Sequence, residues 1–329
     1  MNSHQFFHFI VILKESIKIL SKNGKLMLLV TTLSLISSSI FFLIFDFSSF
    51  SLMRDMLAKE SLIPISSSSS AEFISNLSQM KENFSLLLAV YLAFILSYFT
   101  VTFLPMLTSI IITSESYNNR NLSLKDFSLG FARSWTRPCR TGFYTSVFVI
   151  GYVFLVISMA TPLLAYTNLL SILVVVIFYG LFAYIFYLYL SSVWIMSLVV
   201  SVVDQESCGV GALGKSATIM KGQKMNAFVL NVVLNLVNLG VYLGSKMIRV
   251  RGGGKYWIFD EKIISGLILV NGSCLVRIFT FVVYTVLYFR GKEGNDQEIE
   301  LEWSNVDYAK LDISPLGEYM FTQFTYMID

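Results

Sequence analysis

Sixty-three consecutive residues, from Thr141 to Val203, contain no Asp, Glu, Lys, Arg or His. A helix needs about 20 apolar residues to cross a hydrocarbon core of about 30 Å, so this run is long enough to cross at least twice. The composition agrees: 55% of the chain is hydrophobic and 14% is charged, whereas soluble domains carry about 25% charged residues. The chain is therefore predicted to be an integral membrane protein.

The apolar runs predict an all-α, polytopic fold, because a membrane β-barrel would show ten-residue alternation instead of long unbroken runs. Between the third and fourth spans, 162–168 is the clearest turn signal, and Gly180 is a weak signal for a second turn. Residues 141–203 are therefore predicted to form two spans, with three as the alternative. The six predicted transmembrane helices are 26–45, 84–114, 141–162, 168–201, 225–247 and 263–289.

Three regions are predicted from these spans. Residues 1–25 form an amphipathic N-terminal helix, 26–289 form the six-span transmembrane domain, and 290–329 form an acidic tail that is disordered or docked on basic loops. The net charge of +3 is small, and it gives no indication of a nucleic-acid partner.

The distribution of Lys and Arg predicts the sidedness. The N-terminal tail has four, loop 115–140 five, loop 204–224 three and the C-terminal tail three, fifteen in all, against eight on the other face. The positive-inside tendency then places both termini in the cytosol, although the five cations of 246–262 oppose it. The sequon at Asn76 falls in the opposite, lumenal or extracellular loop and is the predicted glycosylation site.

Three segments on the predicted cytosolic face share one design, in which an amphipathic helix and a short basic turn precede a span. Such helices lie in the membrane interface with their cations toward anionic lipid headgroups, which are the predicted partners. The alternative is that basic flanks reflect only topology selection. The predicted apolar stripes are Phe6, Ile10, Leu13, Ile17 and Leu20; Leu124, Phe127, Phe131 and Trp135; and Leu213, Ala217 and Met220.

Polar residues inside two spans form the predicted intramembrane site. Asn231, Asn235 and Asn238 share one face of the fifth span, and Arg277 lies near the middle of the sixth. Amides in hydrocarbon are either interhelical glue or part of a substrate pathway. Arg277 needs a partner, and the Asn face is its predicted one; the functional interpretation is a site for an anionic ligand. Gly240 and Gly244 form a small-residue patch on nearly the opposite side.

No catalytic, metal or cofactor site is predicted. The three cysteines are scattered, and the spans lack the acids and histidines of proton transfer or metal binding. The stretch from Gly209 to Ser216 matches a phosphate-binding loop pattern. That loop requires a strand running directly into the glycines within a parallel sheet, and a membrane span follows here instead. Nucleotide binding is therefore not expected.

A short motif suggests a family. Val202-Val203-Asp204-Gln205-Glu206, the Ala-Leu-Gly-Lys-Ser run at 212–216, Met220-Lys221-Gly222 and Ala227-Phe228 resemble plant six-span membrane proteins without an assigned activity. Trp135 before the third span belongs to the same pattern. The resemblance extends distantly to membrane domains that accompany some bacterial glycerophosphodiester phosphodiesterases. It implies an endomembrane, such as the ER or secretory pathway, or the plasma membrane, and it carries over no catalytic residue.

The sequence therefore predicts a non-enzymatic integral membrane protein that organises lipid or partner proteins through its cytosolic helices. A homo-oligomer or other membrane proteins are further expected partners. The alternative is a transporter or channel for an anionic or amphipathic small molecule, which would use Asn231, Asn235, Asn238 and Arg277. A cavity that reaches Arg277 would favour the alternative, and a dry, closely packed bundle would favour the first prediction.

Overall fold

The computed structural model describes residues 3–60, 71–118, 120, 135–162, 169–204, 207–251 and 261–325, and all regular secondary structure in these ranges is helical. A 3-10 turn, Met220–Gly222, follows the α-helix Val210–Ile219. The helices are α1 (Ser3–Lys22), α2 (Gly24–Glu60), α3 (Ala71–Tyr117), α4 (Thr136–Ala160), α5 (Leu169–Val203), α6 (Val210–Ile219), α7 (Lys224–Arg251) and α8 (Glu261–Thr325).

Six helices in these ranges contain segments long and apolar enough to cross a membrane, which confirms the predicted all-α fold. Residues 141–203 contribute two of them, and Gly180 lies inside α5 and not at a turn. Most segments exceed the predicted spans because the helices continue beyond hydrocarbon length. The segments are Gly24–Ser51, Phe84–Tyr117, Thr136–Ala160, Leu173–Val203, Lys224–Ile248 and Glu261–Gly294.

Helix α8 is the centre of the bundle, since it contacts α1, α2, α3, α5, α6 and α7. Its residues from Phe281 to Tyr288 are all buried. Glycines bring neighbouring helices close to it. A Cβ at Gly272 would lie 2.5 Å from Val241 Cγ1 on α7, so the absence of a side chain there sets the spacing of the two helices.

The buried core lies toward one end of the bundle. This end, where α2 and α7 begin and α3 and α5 end, is called the collar end below, and the other is the open end. Met106, Ile110, Val199, Leu230 and Val283 belong to one buried cluster near the collar end. Toward the open end, large apolar side chains of α3 and α5 are exposed, such as Leu96 at 71% and Phe182 at 71%.

The acidic C-terminal tail departs from the expectation of disorder, because the backbone of α8 continues to Thr325. Glu, Gln, Lys and Leu are good helix formers, and several occur directly after Arg290. Side chains from residue 295 onward lie outside the described part of the chain. The predicted docking of the tail on basic loops therefore stays a prediction.

Candidate functional site

Arg277 lies near the middle of the apolar stretch of α8. The uncharged stretch around it runs from Ile263 to Phe289, about 40 Å of helix at 1.5 Å per residue. Arg277 Nη2 donates a hydrogen bond of 3.2 Å to the Tyr98 hydroxyl on α3, and its Cζ lies 5.7 Å from the centre of the Tyr98 ring. A charge at the centre of a membrane helix costs at least about 2.5 kcal/mol, so this position is one where function is expected.

A cavity of about 290 Å³ between α2, α3 and α8 reaches Arg277. No Asp, Glu or His lines it, so its one formal charge is the guanidinium. The remaining polar groups are hydroxyls and a thiol. The lining residues are Ser34, Ser38, Tyr98, Val101, Thr102, Pro105, Met106, Leu269, Val270, Ser273, Cys274, Arg277, Ile278 and Phe281.

A second cavity of about 280 Å³ adjoins the first toward the open end. The two share Ser38, Tyr98, Val101 and Val270 in their linings. Aromatic side chains dominate the second cavity, and edge-to-face pairs hold them. Phe45 lies 4.8 Å from Phe94 and 5.5 Å from Tyr91 between ring centres. Together the cavities form one cleft, charged at mid-depth and aromatic beyond it, which we call the Arg277 cleft.

The three asparagines of the fifth span lie elsewhere. Asn231, 2% exposed, donates to the Leu188 carbonyl at 2.7 Å and to the Ser191 hydroxyl, both on α5. Asn235 donates to the Asn231 carbonyl and to Asn231 Oδ1, at 2.8 and 2.9 Å. Asn238 is exposed. The expected pairing of Arg277 with this face is therefore not formed, because Arg277 is directed toward α3 and Asn231 toward α5.

Helix α1 docks on the collar end through a face that the sequence did not predict. Ile12, Ser16 and Ile19 are buried at 1%, 0% and 9% exposure, whereas Ile10 and Ile17 of the predicted stripe are exposed at 48% and 58%. Two polar contacts fix the position of α1. Glu15 forms an ion pair of 2.6 Å with Arg290 on α8, and Asn23 donates to Ser116 on α3 at 2.6 Å. Of the predicted apolar stripe, Ile10 and Ile17 therefore point away from the bundle, whereas Leu13 and Leu20 are half-buried against its core.

Helix α6 docks at the same end through Ala212, Ser216 and Ile219, which are buried. The predicted stripe is shifted by one position: Leu213 is half-buried and Ala217 is exposed, while Met220 is buried as part of the turn that follows. A Cβ at Gly291 of α8 would lie 2.8 Å from Ile219 Cγ2, so the two helices meet closely. The α1 and α6 helices together are called the collar.

The stretch that resembles a phosphate-binding loop begins a helix. Gly209, at φ 61°, precedes α6 and donates its backbone N–H to the Thr141 hydroxyl at 2.9 Å. The rest of the pattern is helical, and Lys215 forms an ion pair with Asp204. Asp204 also accepts a hydrogen bond of 2.9 Å from Ser207. These residues close the connection between α5 and α6.

Exposed cations surround the collar. They come from α1, from α6 and the turn that follows it, from the first residues of α2, α4 and α7, and from α8 after its buried segment. Apolar side chains lie exposed between them, among them Trp135 at 51% and Met225 at 57%. Cations beside exposed apolar groups are typical of a surface at the lipid headgroup level. The exposed cations include Lys14, Lys18, Lys22, Lys25, Arg140, Lys215, Lys221, Lys224 and Lys292.

Two other predicted features lie at least partly outside the described residues. Asn76 falls in α3 before its membrane-length segment, and its side chain is not described. Residues 121–134, which carry most of the second predicted amphipathic stripe, are also outside. Within the ranges that the structure covers, no cluster of three or more His, Cys, Asp or Glu could hold a metal ion.

Comparison with known families now adds one result. Residues 1–320 match the family described as Domain of unknown function (DUF8558). The chain belongs to the DUF8558 family. The match covers the collar, all six membrane-length helices and most of the acidic tail of this DUF8558 protein. No curated protein and no solved structure matches it.

Proposed function

We propose that this DUF8558 protein is a non-enzymatic, multi-pass integral membrane protein that organises anionic lipid, or a partner protein at that lipid surface, through its collar. Both termini and the collar lie in the cytosol. The membrane is an endomembrane or the plasma membrane. The predicted homo-oligomer or association with other membrane proteins remains part of this proposal.

The observation that carries the proposal is the way α1 and α6 are held. Each helix is fixed on the bundle by a buried face, Ile12, Ser16 and Ile19 in α1 and Ala212, Ser216 and Ile219 in α6. Fixed helices hold their outward side chains in place before any ligand arrives, which lowers the entropy cost of binding. The outward side chains are lysines and apolar residues, the combination that binds anionic membrane surfaces.

The charges of the collar decide which lipid it would select. Each Lys or Arg near an anionic membrane surface contributes about 1 kcal/mol of attraction. Lys14 and Lys18 on α1 and Lys221 after α6 are exposed. Three such cations would favour anionic over zwitterionic lipid substantially, and salt would weaken the preference because exposed charges are screened.

The test compares lipid selectivity at the two ends of the bundle. The full chain is reconstituted in vesicles, and spin-labelled phosphatidylserine and phosphatidylcholine report which lipid the protein immobilises. We expect the wild type to prefer phosphatidylserine. The triple variant Lys14→Gln, Lys18→Gln and Lys221→Gln should weaken that preference, by about fivefold at most for each cation removed.

Lys81 and Lys246 supply the matched control, since both are exposed cations toward the open end. Their double substitution to Gln removes positive charge from the same protein without altering the collar, and it should leave the phosphatidylserine preference unchanged. An unaltered preference in the triple variant, or an equal loss in the control, would contradict a role for the collar.

A transporter or channel for an anionic or amphipathic small molecule is the second candidate, and the cavity at Arg277 is the observation that favours it. Of the four residues predicted for such a pathway, Arg277 lines the cavity, while Asn231 is buried against α5. Uptake of a labelled anion into proteoliposomes that Arg277→Leu abolishes would favour this candidate over the first.

A further inference from the structure

The Arg277 cleft contains a cation with unused hydrogen-bonding capacity. A guanidinium has five N–H donors, and among the described residues Arg277 donates only to the Tyr98 hydroxyl. The lining of its cavity supplies no carboxylate. In a medium of low dielectric constant an opposite charge on a ligand would be strongly attracted to this group.

We propose that the Arg277 cleft binds one long-chain carboxylate, with the carboxylate on Arg277 and the hydrocarbon chain along the aromatic cavity. The proposal concerns mid-membrane depth and is independent of the collar and its lipid surface. A carboxylate matches a guanidinium because two parallel N–H···O bonds can form between them. Its oxygens would accept hydrogen bonds from the Arg277 N–H groups that do not donate to Tyr98.

The shape of the cleft agrees with a single chain. From Tyr98 to Tyr91 the lining of α3 continues toward the open end for about 10 Å, or two helical turns. Along this path Phe41, Phe45 and Phe94 provide apolar walls. Ile95, also in the lining, is 64% exposed, so the cleft is accessible from the side where hydrocarbon chains lie.

The depth of Arg277 distinguishes a fatty acid from a phospholipid. Its position is about 20 Å of helix from either end of the uncharged stretch, whereas phosphate groups lie at the headgroup level, more than about 15 Å from the centre of the hydrocarbon core. A phosphodiester stays ionised and would have to enter hydrocarbon as an anion. A fatty acid enters as the neutral acid, and its proton leaves to bulk water when the carboxylate pairs with Arg277.

The experiment measures binding of two ligands of equal chain length to the purified, delipidated full chain. Radiolabelled hexadecanoate is the carboxylate, and radiolabelled hexadecanol has the same chain without the charge. We expect saturable binding of hexadecanoate and at least about tenfold weaker binding of the alcohol. Arg277→Gln should weaken hexadecanoate binding by about tenfold or more, because a charge-assisted pair is lost, and should leave hexadecanol unchanged.

Arg54→Gln is the matched control, since Arg54 is an exposed arginine of α2 outside both linings and beyond its membrane-length segment. It should bind hexadecanoate as the wild type does. A folded Arg277→Gln protein that retains wild-type affinity would overturn the proposal. Equal affinity of the wild type for the acid and the alcohol would also overturn it.

A second variant keeps the proposal testable if Arg277→Gln fails to fold. Ile95→Trp adds bulk at an exposed position of the aromatic cavity, where the core is not disturbed. It should lower hexadecanoate affinity about tenfold, as expected if the chain occupies the cavity. Unchanged hexadecanoate binding would overturn the proposal, as would a phospholipid in place of a carboxylate in native mass spectra.

The collar triple variant separates this proposal from the proposed function. Lys14→Gln, Lys18→Gln and Lys221→Gln lie at the collar, outside both linings, so they should leave hexadecanoate binding unchanged. Loss of hexadecanoate binding in that variant would contradict the assignment of the ligand to the Arg277 cleft, whatever the outcome for phosphatidylserine.

Discussion

At the scale of single residues, Asn231 is the amide whose hydrogen bonds join two helices of the bundle. Its side chain joins α7 to α5 through Leu188 and Ser191, and it also accepts from Asn235. Asn231→Leu should lower the free energy of unfolding by about 1–3 kcal/mol, because it leaves buried polar partners unsatisfied. Asn238→Leu, at an exposed site on the same helix, should change it by less than about 0.5 kcal/mol.

Unfolding of the detergent-solubilised protein by SDS, followed by tryptophan fluorescence, measures both variants. The informative result is which of the two variants loses more free energy of unfolding. If Asn238→Leu proved as destabilising as Asn231→Leu, the hydrogen bonds to α5 would not be what stabilises this face. A destabilised Asn238→Leu variant would instead point to a partner outside the chain.

The sequence predicts which polar residues lie in the membrane and not what they contact. Arg277 and Asn231 are identifiable because charges and amides are rare in apolar runs. Their partners, Tyr98 and Leu188, depend on the rotation of each helix about its axis, which a run of apolar residues does not specify. The Thr141 hydroxyl that accepts from Gly209 was missed for a similar reason, since it lies 68 positions away and carries no distinctive pattern.

At the scale of helices, close contacts depend on glycines that apolar patterning does not distinguish. The predicted small-residue patch, Gly240 and Gly244, has nothing within 4 Å of a Cβ placed there, whereas Gly272 is against Val241. A Cβ at Gly272 would collide with a β-branched side chain that is stiff at χ1. Gly272→Ala should therefore destabilise the protein by about 1–3 kcal/mol.

Gly240→Ala is the control on the neighbouring helix. It adds the same methyl group in open space and should be neutral or stabilise α7 by up to about 1 kcal/mol, the difference in helix propensity. Midpoints of thermal unfolding in detergent, detected by size-exclusion chromatography of heated samples, compare the two. A Gly272→Ala protein with the wild-type midpoint would show that α7 and α8 can separate at low cost.

The sequence predicts the long apolar helices but not the faces through which α1 and α6 pack on them. Six membrane-length helices follow from runs of about 20 uncharged residues. The apolar stripes of α1 and α6 were predicted to face the membrane, and the faces that pack on the bundle were not predicted. Lipid and protein interior are both apolar, so hydrophobicity does not distinguish a lipid-facing side of a helix from a buried one. Small residues are the better signal: Ser16, Ala212 and Ser216 are all 0% exposed.

At the scale of the whole molecule, the orientation of the collar is the property on which the proposed function depends. If the collar is cytosolic, Asn76 is on the lumenal side and should be glycosylated in microsomes. Asn121, which heads the sequon Asn121-Leu122-Ser123 in the predicted cytosolic loop 115–140, should not be. Endoglycosidase treatment should increase the electrophoretic mobility of the wild type and of Asn121→Gln, and leave Asn76→Gln unchanged.

Thiol labelling gives a second measure of the same orientation. Cys208, at the connection into α6, is free and partly exposed. It should react with a membrane-impermeant reagent only after vesicles with cytosolic loops inside are opened. Glycosylation at Asn121, or labelling of Cys208 in sealed vesicles of that orientation, would reverse the predicted sidedness.

The uneven distribution of buried residues has a consequence for what surrounds the protein. Near the collar, helices are held by one another, as shown by Ile110, Val200 and Val283 at 0% exposure. Farther along, α4 and α5 expose Phe154 and Phe182 at 69% and 71%, and their neighbours come from outside the chain, as acyl chains, detergent tails or another membrane protein. The lipid or detergent around the protein is therefore part of the packing of the open half of the bundle. Exchanging that lipid or detergent alters the open half before the half near the collar.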